Sequence, residues 1–150
     1  MKAGELERAV ELAARKIRGD GGILVLIDSD DDCPAQLGPE LLYRACLVRS
    51  ELAIAVVLAK YEYEAWFLAA AESLRGVRGL SPTLIAPPQP EGIRDAKGWL
   101  TAHMATGDNC VETLHQAALT ARFDLKMARR ADSFDKCYRD VVTLLTAAMP

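Results

Sequence analysis

Apolar residues recur at helical spacing at the start of the chain, where Leu6, Val10, Ala13, Ala14 and Ile17 form one stripe. Glu5 and Glu7 lie near its beginning, and Lys16 and Arg18 precede Gly19. Stripe, charge polarity and glycine stop together predict an amphipathic helix. The pattern then changes. Gly21 to Asp32, GGILVLIDSDDD, carries an unbroken apolar run from Ile23 to Ile27 straight into Asp28, Asp30, Asp31 and Asp32. A continuous apolar run flanked by glycines predicts a strand buried on both faces, the kind found in parallel sheets. Cys33-Pro34 breaks regular structure, and Pro39 suits the first turn of a second helix whose buried stripe is Leu41, Ala45 and Val48. Leu52 to Ala59, LAIAVVLA, predicts another doubly buried strand. Helix, strand, helix, strand is the order of a parallel sheet with right-handed crossovers.

The second strand runs into Lys60-Tyr61-Glu62-Tyr63-Glu64 and then a helix carrying Trp66, Phe67, Ala70 and Leu74. Gly79 to Pro90 holds Pro82, Pro87, Pro88 and Pro90, which predicts an extended connector over the surface. Ile93, Ala96, Leu100 and Met104 mark a further helix, and Thr106 to Asn109, TGDN, is a turn signal. Helical patterns follow near Glu112 to Thr120 and Leu125 to Arg130. A last helix has Ser133 as its expected N-cap, with Phe134, Val141, Leu144 and Leu145 facing inward. The predicted organisation is one α/β domain over residues 1–150: a parallel-sheet core with flanking helices at 1–76, a Pro-rich connector at 77–90, and an all-helical extension at 91–150 packed on the core.

Composition narrows the class. At 150 residues the chain is long enough for one domain with a real core, and 51% hydrophobic with 26% charged residues excludes compositional disorder. The apolar runs are too short to span a bilayer, and Met1 opens a charged helical pattern in place of a signal peptide, so a cytoplasmic protein without membrane association is expected. Cys33, Cys46, Cys110 and Cys137 are scattered, with no CxxC and no histidine at ligand spacing, which points to neither disulfides nor zinc. His103 and His115 each stand alone without a second ligand at i+4. A net charge of −3 argues against coating nucleic acid through the overall field. A local basic face remains open, since Arg122, Lys126, Arg129, Arg130, Lys136 and Arg139 outnumber Asp124, Asp132 and Asp135. Tyr61, Tyr63, Trp66 and Phe67 suit a base-stacking platform, but packing of a helix on the sheet explains them better.

The acidic run is the chemical candidate. It falls at the carboxyl end of a strand, where α/β sheets form their ligand crevice, and clustered carboxylates attract hard divalent cations. An EF-hand reading fails, because Cys33 and Pro39 occupy the positions that need glycine and glutamate. If the two strands are parallel neighbours, Glu62 or Glu64 leaves the sheet on the same edge as Asp28 and Asp30. Both glutamates equally suit a helix N-terminus, which acids stabilise.

IDSDDDCPAQLGPELL, followed by AIAVVLAKYEYEAWFLAAAESL and FDLKMARRADSFDKCYRD, resembles the Toprim-like bacterial family catalogued as domain of unknown function 4276. The resemblance covers nearly the whole chain. It implies a Toprim-like, Rossmann-like fold, binding of Mg²⁺ or Mn²⁺, and a role beside ATPases in nucleic-acid processing or phage defence. By that match Asp28 and Asp30 correspond to the metal-binding DxD, with Asp32 beside them. Glu64, or Glu62, is the nearby acid, and Lys60 or Lys136 contacts phosphate. Toprim-like proteins generally begin with a strand bearing a catalytic glutamate, and this chain begins at the first crossover helix. That departure predicts an incomplete catalytic set and an unpaired sheet edge for a partner or a second copy. Two functions follow: a Mg²⁺-dependent nuclease or phosphoryl-transfer enzyme, or a non-catalytic module that partners an ATPase or self-associates.

Overall fold

The computed structural model describes residues 4–105 and 110–147, so the turn expected at 106–109 lies outside the described residues. The elements in order are α1 (Glu5–Ala14), β1 (Gly22–Asp28), α2 (Pro34–Val48), β2 (Ala53–Ala59), α3 (Ala65–Ala69), α4 (Ala96–Ala102), α5 (Glu112–Thr120), α6 (Leu125–Ala128) and α7 (Asp132–Ala147). β1 and β2 pair in a two-stranded parallel sheet, so the class is mixed α/β. Contacts divide the chain into two compact units. One runs to Leu58 and resumes at Lys136; the other is Ala59–Asp135. The first unit thus includes most of α7.

In the first unit, Leu6, Val10 and Ala14 of α1 pack with Leu41 and Ala45 of α2, Ile23 of β1, and Val56 and Leu58 of β2. Arg44 of α2 donates from Nε to Glu7 Oε1 at 2.8 Å and from Nη2 to Glu7 Oε2 at 3.1 Å, a two-pronged contact that joins α2 to α1. The helix α2 starts earlier than the sequence suggests. Pro34 takes its first turn, the Cys33 carbonyl accepts from the Gln36 and Leu37 N–H groups, and Pro39 lies inside the helix.

β1 differs from the expected doubly buried strand. Its residues alternate, with Ile23, Val25 and Ile27 in the core while Leu24 and Leu26 are 37% and 39% exposed. A two-stranded sheet offers two faces, and Leu144 of α7 lies against the start of β1 at Gly22. A Cβ on Gly22 would lie 2.9 Å from Leu144 Cδ2 and 3.0 Å from the Ala53 carbonyl oxygen. Gly22→Ala is accordingly expected to cost about 1–3 kcal/mol by overpacking, read as a lower urea midpoint. An unchanged midpoint would contradict the close approach of the Ala53 carbonyl. β2 does match its expectation, with Ala55 to Ala59 all buried.

The second unit is built on aromatic rings. Tyr63 meets Trp66 at 4.9 Å and Phe67 at 5.2 Å, Phe67 meets Phe123 at 5.7 Å, Phe123 meets Phe134 at 5.4 Å, and Phe134 returns to Trp66 at 5.0 Å. Most of these pairs are edge-to-face, the geometry the ring quadrupoles favour. Leu80, Leu84 and Leu100 complete this core. Residues 77–90 are largely at the surface but anchored in this core: their leucines are 1% exposed, Pro90 is buried, and Leu80 forms an isolated antiparallel bridge with Met104. Apart from that bridge, the described residues beyond Ala59 form no strand, as the all-helical back half predicted.

The start of α7 is held differently from the expected Ser133 cap. The helix begins at Asp132, and the Glu91 carboxylate accepts from the Asp132 N–H at 2.8 Å, from the Ser133 N–H at 3.2 Å and from the Ser133 hydroxyl. Trp66 Nε1 donates to the same hydroxyl at 2.8 Å. A carboxylate from a distant segment satisfies the orphan N–H groups and complements the helix dipole.

Candidate functional site

The acidic run leaves β1 as a tight turn into α2. Asp28 is the last residue of the strand, the Ser29 side chain is 2% exposed, and the Asp32 N–H closes the turn on the Ser29 carbonyl at 2.8 Å. Asp30 adopts φ 48°, the left-handed region that aspartate tolerates better than most residues. Asp28, Asp30 and Asp32 are all exposed, and α2 starts just beyond. The turn therefore presents carboxylates at the carboxyl end of a parallel strand and ahead of a helix N-terminus, where negative charge is tolerated.

Glu62 and Glu64 lie within the second unit. Glu62 Oε2 accepts from the Ala96 and Lys97 N–H groups at 3.1 and 3.4 Å, and Oε1 lies 3.6 Å from Lys97 Nζ. Together with Asp95, which accepts from the Gly98 N–H at 2.7 Å, it holds the first turn of α4. Glu64 is 1% exposed. Its Oε1 accepts from Gln116 Nε2 of α5 at 2.8 Å and lies 4.0 Å from Lys97 Nζ. Burial pushes its carboxyl above the usual carboxylate range, against the opposing pull of the Gln116 bond and the Lys97 charge. One carboxylate oxygen is therefore already engaged by the Gln116 amide, with the Lys97 ammonium nearby. Among the described residues, no three His, Cys, Asp or Glu side chains gather as a group that could hold a metal ion.

The two lysines expected at phosphate part company. Lys136 is committed within the first unit, where its Nζ donates to the Val56 carbonyl at 2.9 Å and pairs with Asp140. Lys60 is exposed, 5.7 Å from the Tyr61 ring centroid, with the Arg94 guanidinium 5.0 Å from the same ring. It lines a small cleft with Gln89, Glu91, Arg130 and Asp132. Much of the basic run in 122–139 is likewise neutralised, since Arg129 pairs with Asp135 at 2.6 Å and Arg130 with Glu72 at 2.8 Å.

Sequence reasoning missed Gln116, Glu91, Arg75 and Arg78. Gln116 and Glu91 act on residues far away along the chain, so no local pattern could reveal them. Arg75 and Arg78 carried a readable signal, the glycine-punctuated RGVRG at 75–79. The four cysteines are free thiols, and His103 stacks on Trp99 at 3.9 Å while contacting its carbonyl oxygen at 2.8 Å. No helix among the described residues is long and apolar enough to cross a membrane. No family model, curated protein or solved structure matches this chain.

Proposed function

We propose that the chain is a Toprim-like, divalent-cation-binding domain acting on phosphodiester bonds of nucleic acid, with the carboxyl end of β1 as its centre. The observation that carries this reading is the exposed pair Asp28 and Asp30 on a closed turn at the tip of a parallel strand. Mg²⁺ keeps several waters and needs only one or two carboxylates beside substrate phosphate, so Asp28 and Asp30 suit it, with Asp32 next along the turn. Such an ion, or Mn²⁺, supplies polarisation of a phosphoryl oxygen and an acidified water. Lys136 is already engaged by the Val56 carbonyl and Asp140, so this reading does not rely on it for phosphate. Cleavage of single- and double-stranded DNA with Mg²⁺ or Mn²⁺ tests the proposal. Metal-dependent cleavage that falls to background in Asp28→Ala is expected; cleavage that survives the substitution, or none by the intact chain, contradicts it.

A second reading, a non-catalytic module that self-associates or partners an ATPase, is favoured by a different observation. Among the described residues β1 pairs on one side only, and Leu24 and Leu26 stay over a third exposed beside a groove that α1 lines with Ala9 and Ala13. A largely apolar, unpaired strand edge recruits another strand, and a second copy of β1 is the simplest donor. Light scattering during gel filtration reads a dimer if this holds, and Leu26→Lys returns it to monomer. A monomer at every concentration removes the self-association arm.

A further inference from the structure

We infer that Arg75, Arg78 and Arg122 form a binding site for a phosphate-bearing anion in the second unit, a role that does not rest on the cation site at β1. The three line one open cleft of about 600 Å³, with Ala118 and Ala121 of α5 contributing small apolar surface. Among the described residues no carboxylate lines it. Among the described residues none of the three makes an ion pair, in contrast to Arg129 and Arg130, which have carboxylates at 2.6 and 2.8 Å. Gathering three cations without a counter-charge raises the energy of the folded chain, and a cleft focuses the resulting field on whatever anion enters.

The local backbone supports the same assignment. Gly76 and Gly79 adopt φ 70° and 82°, and Arg78 between them adopts φ 51° and ψ 40°. Glycine takes the left-handed region without penalty, whereas an arginine there is strained, and such strain persists where the side chain has another use. Arg75 is fixed by its Nε, which donates to the Leu84 carbonyl at 2.7 Å. Arg122 follows the C-cap of α5, where the helix dipole favours one cation; Arg75 and Arg78 come from a different segment and add like charge to it. Guanidinium forks match phosphate oxygens in pairs, which makes a phosphate ester or free phosphate the ligand chemistry, in preference to a carboxylate on so open a surface.

Two probes separate the sources: pyrophosphate, and a fluorescent single-stranded oligothymidylate, each titrated in EDTA so that the β1 cation plays no part. Arg78→Gly removes the charge while relieving the backbone, so its melting temperature should equal or exceed that of the parent chain, which guards against loss by unfolding. Arg78→Gly and Arg122→Ala should each weaken binding about tenfold. For the oligonucleotide each should lower the salt dependence by roughly one counterion. Arg15→Ala, on the exposed pair with Glu11, should change nothing. Tighter binding of the oligonucleotide assigns the site to a nucleic-acid backbone, and tighter binding of pyrophosphate assigns it to a free phosphate compound. Absence of binding by both probes, or binding that the two substitutions leave within twofold, overturns the assignment.

Discussion

Phe67→Ala is expected to lower the unfolding free energy by about 3–5 kcal/mol. Phe67 is 0% exposed, and its ring stands edge-on to Tyr63 at 86° and to Phe123 at 90°. Removing it takes away buried apolar area and opens the circuit of rings that joins α3 to Phe123 and to Phe134 at the start of α7. Typical domains hold about 5–15 kcal/mol in all, so the loss is a large share of stability. Trp66, 4.9 Å from Tyr63 and 5.0 Å from Phe134, gives a fluorescence probe for urea unfolding of this unit. A loss below about 1 kcal/mol would mean that the ring circuit is not the core of Ala59–Asp135.

Glu64→Gln is expected to stabilise the chain at neutral pH and to leave it nearly unchanged in acid. Burial raises the folded carboxyl above its unfolded value, so the folded state holds the proton more tightly. The stabilising contribution of the protonated group is fully present below the unfolded value of 4.5 and is lost as pH rises through the folded one. Glutamine has no charge to desolvate and its carbonyl can still accept from Gln116. The difference between variant and parent should therefore be near zero below about pH 4 and reach a plateau around neutral pH, on the order of 1 kcal/mol, or a rise of ~2–4 °C in Tm. Thermal melts from pH 4 to pH 8 read it directly, and a variant less stable than the parent at pH 8 would contradict the sign.

The order of α1, β1, α2 and β2 was legible because each segment carried its own periodicity: a 3.6-residue stripe in α1, and apolar runs bounded by glycine, aspartate or lysine in the strands. Local signals failed where distant residues decided the outcome. Ile23 to Ile27 reads the same whether one face of the strand is covered or two, and the run itself does not encode that Leu24 and Leu26 stay open. Leu80 and Leu84 sit among prolines that suggest a surface connector, yet burial of two leucines ties that segment into the core. Ser133 has the composition of an N-cap, but Glu91 supplies a charged oxygen from 42 positions earlier. The same limit applies to the site. Asp28, Asp30 and Asp32 could be placed on a strand tip from the sequence, whereas the commitment of Glu62 to α4 and of Lys136 to Val56 depends on where other elements pack.

Binding of Mn²⁺ to the strand tip is tested most directly by calorimetric titration of the intact chain and of Asp28→Ala, Asp30→Ala and Glu62→Gln. One ion per chain is predicted, weakened about tenfold or more by either aspartate substitution and unaltered by Glu62→Gln, whose carboxylate is already engaged with the first turn of α4. No binding at millimolar Mn²⁺, or equal affinity in Asp28→Ala and the intact chain, would contradict a cation site at the end of β1.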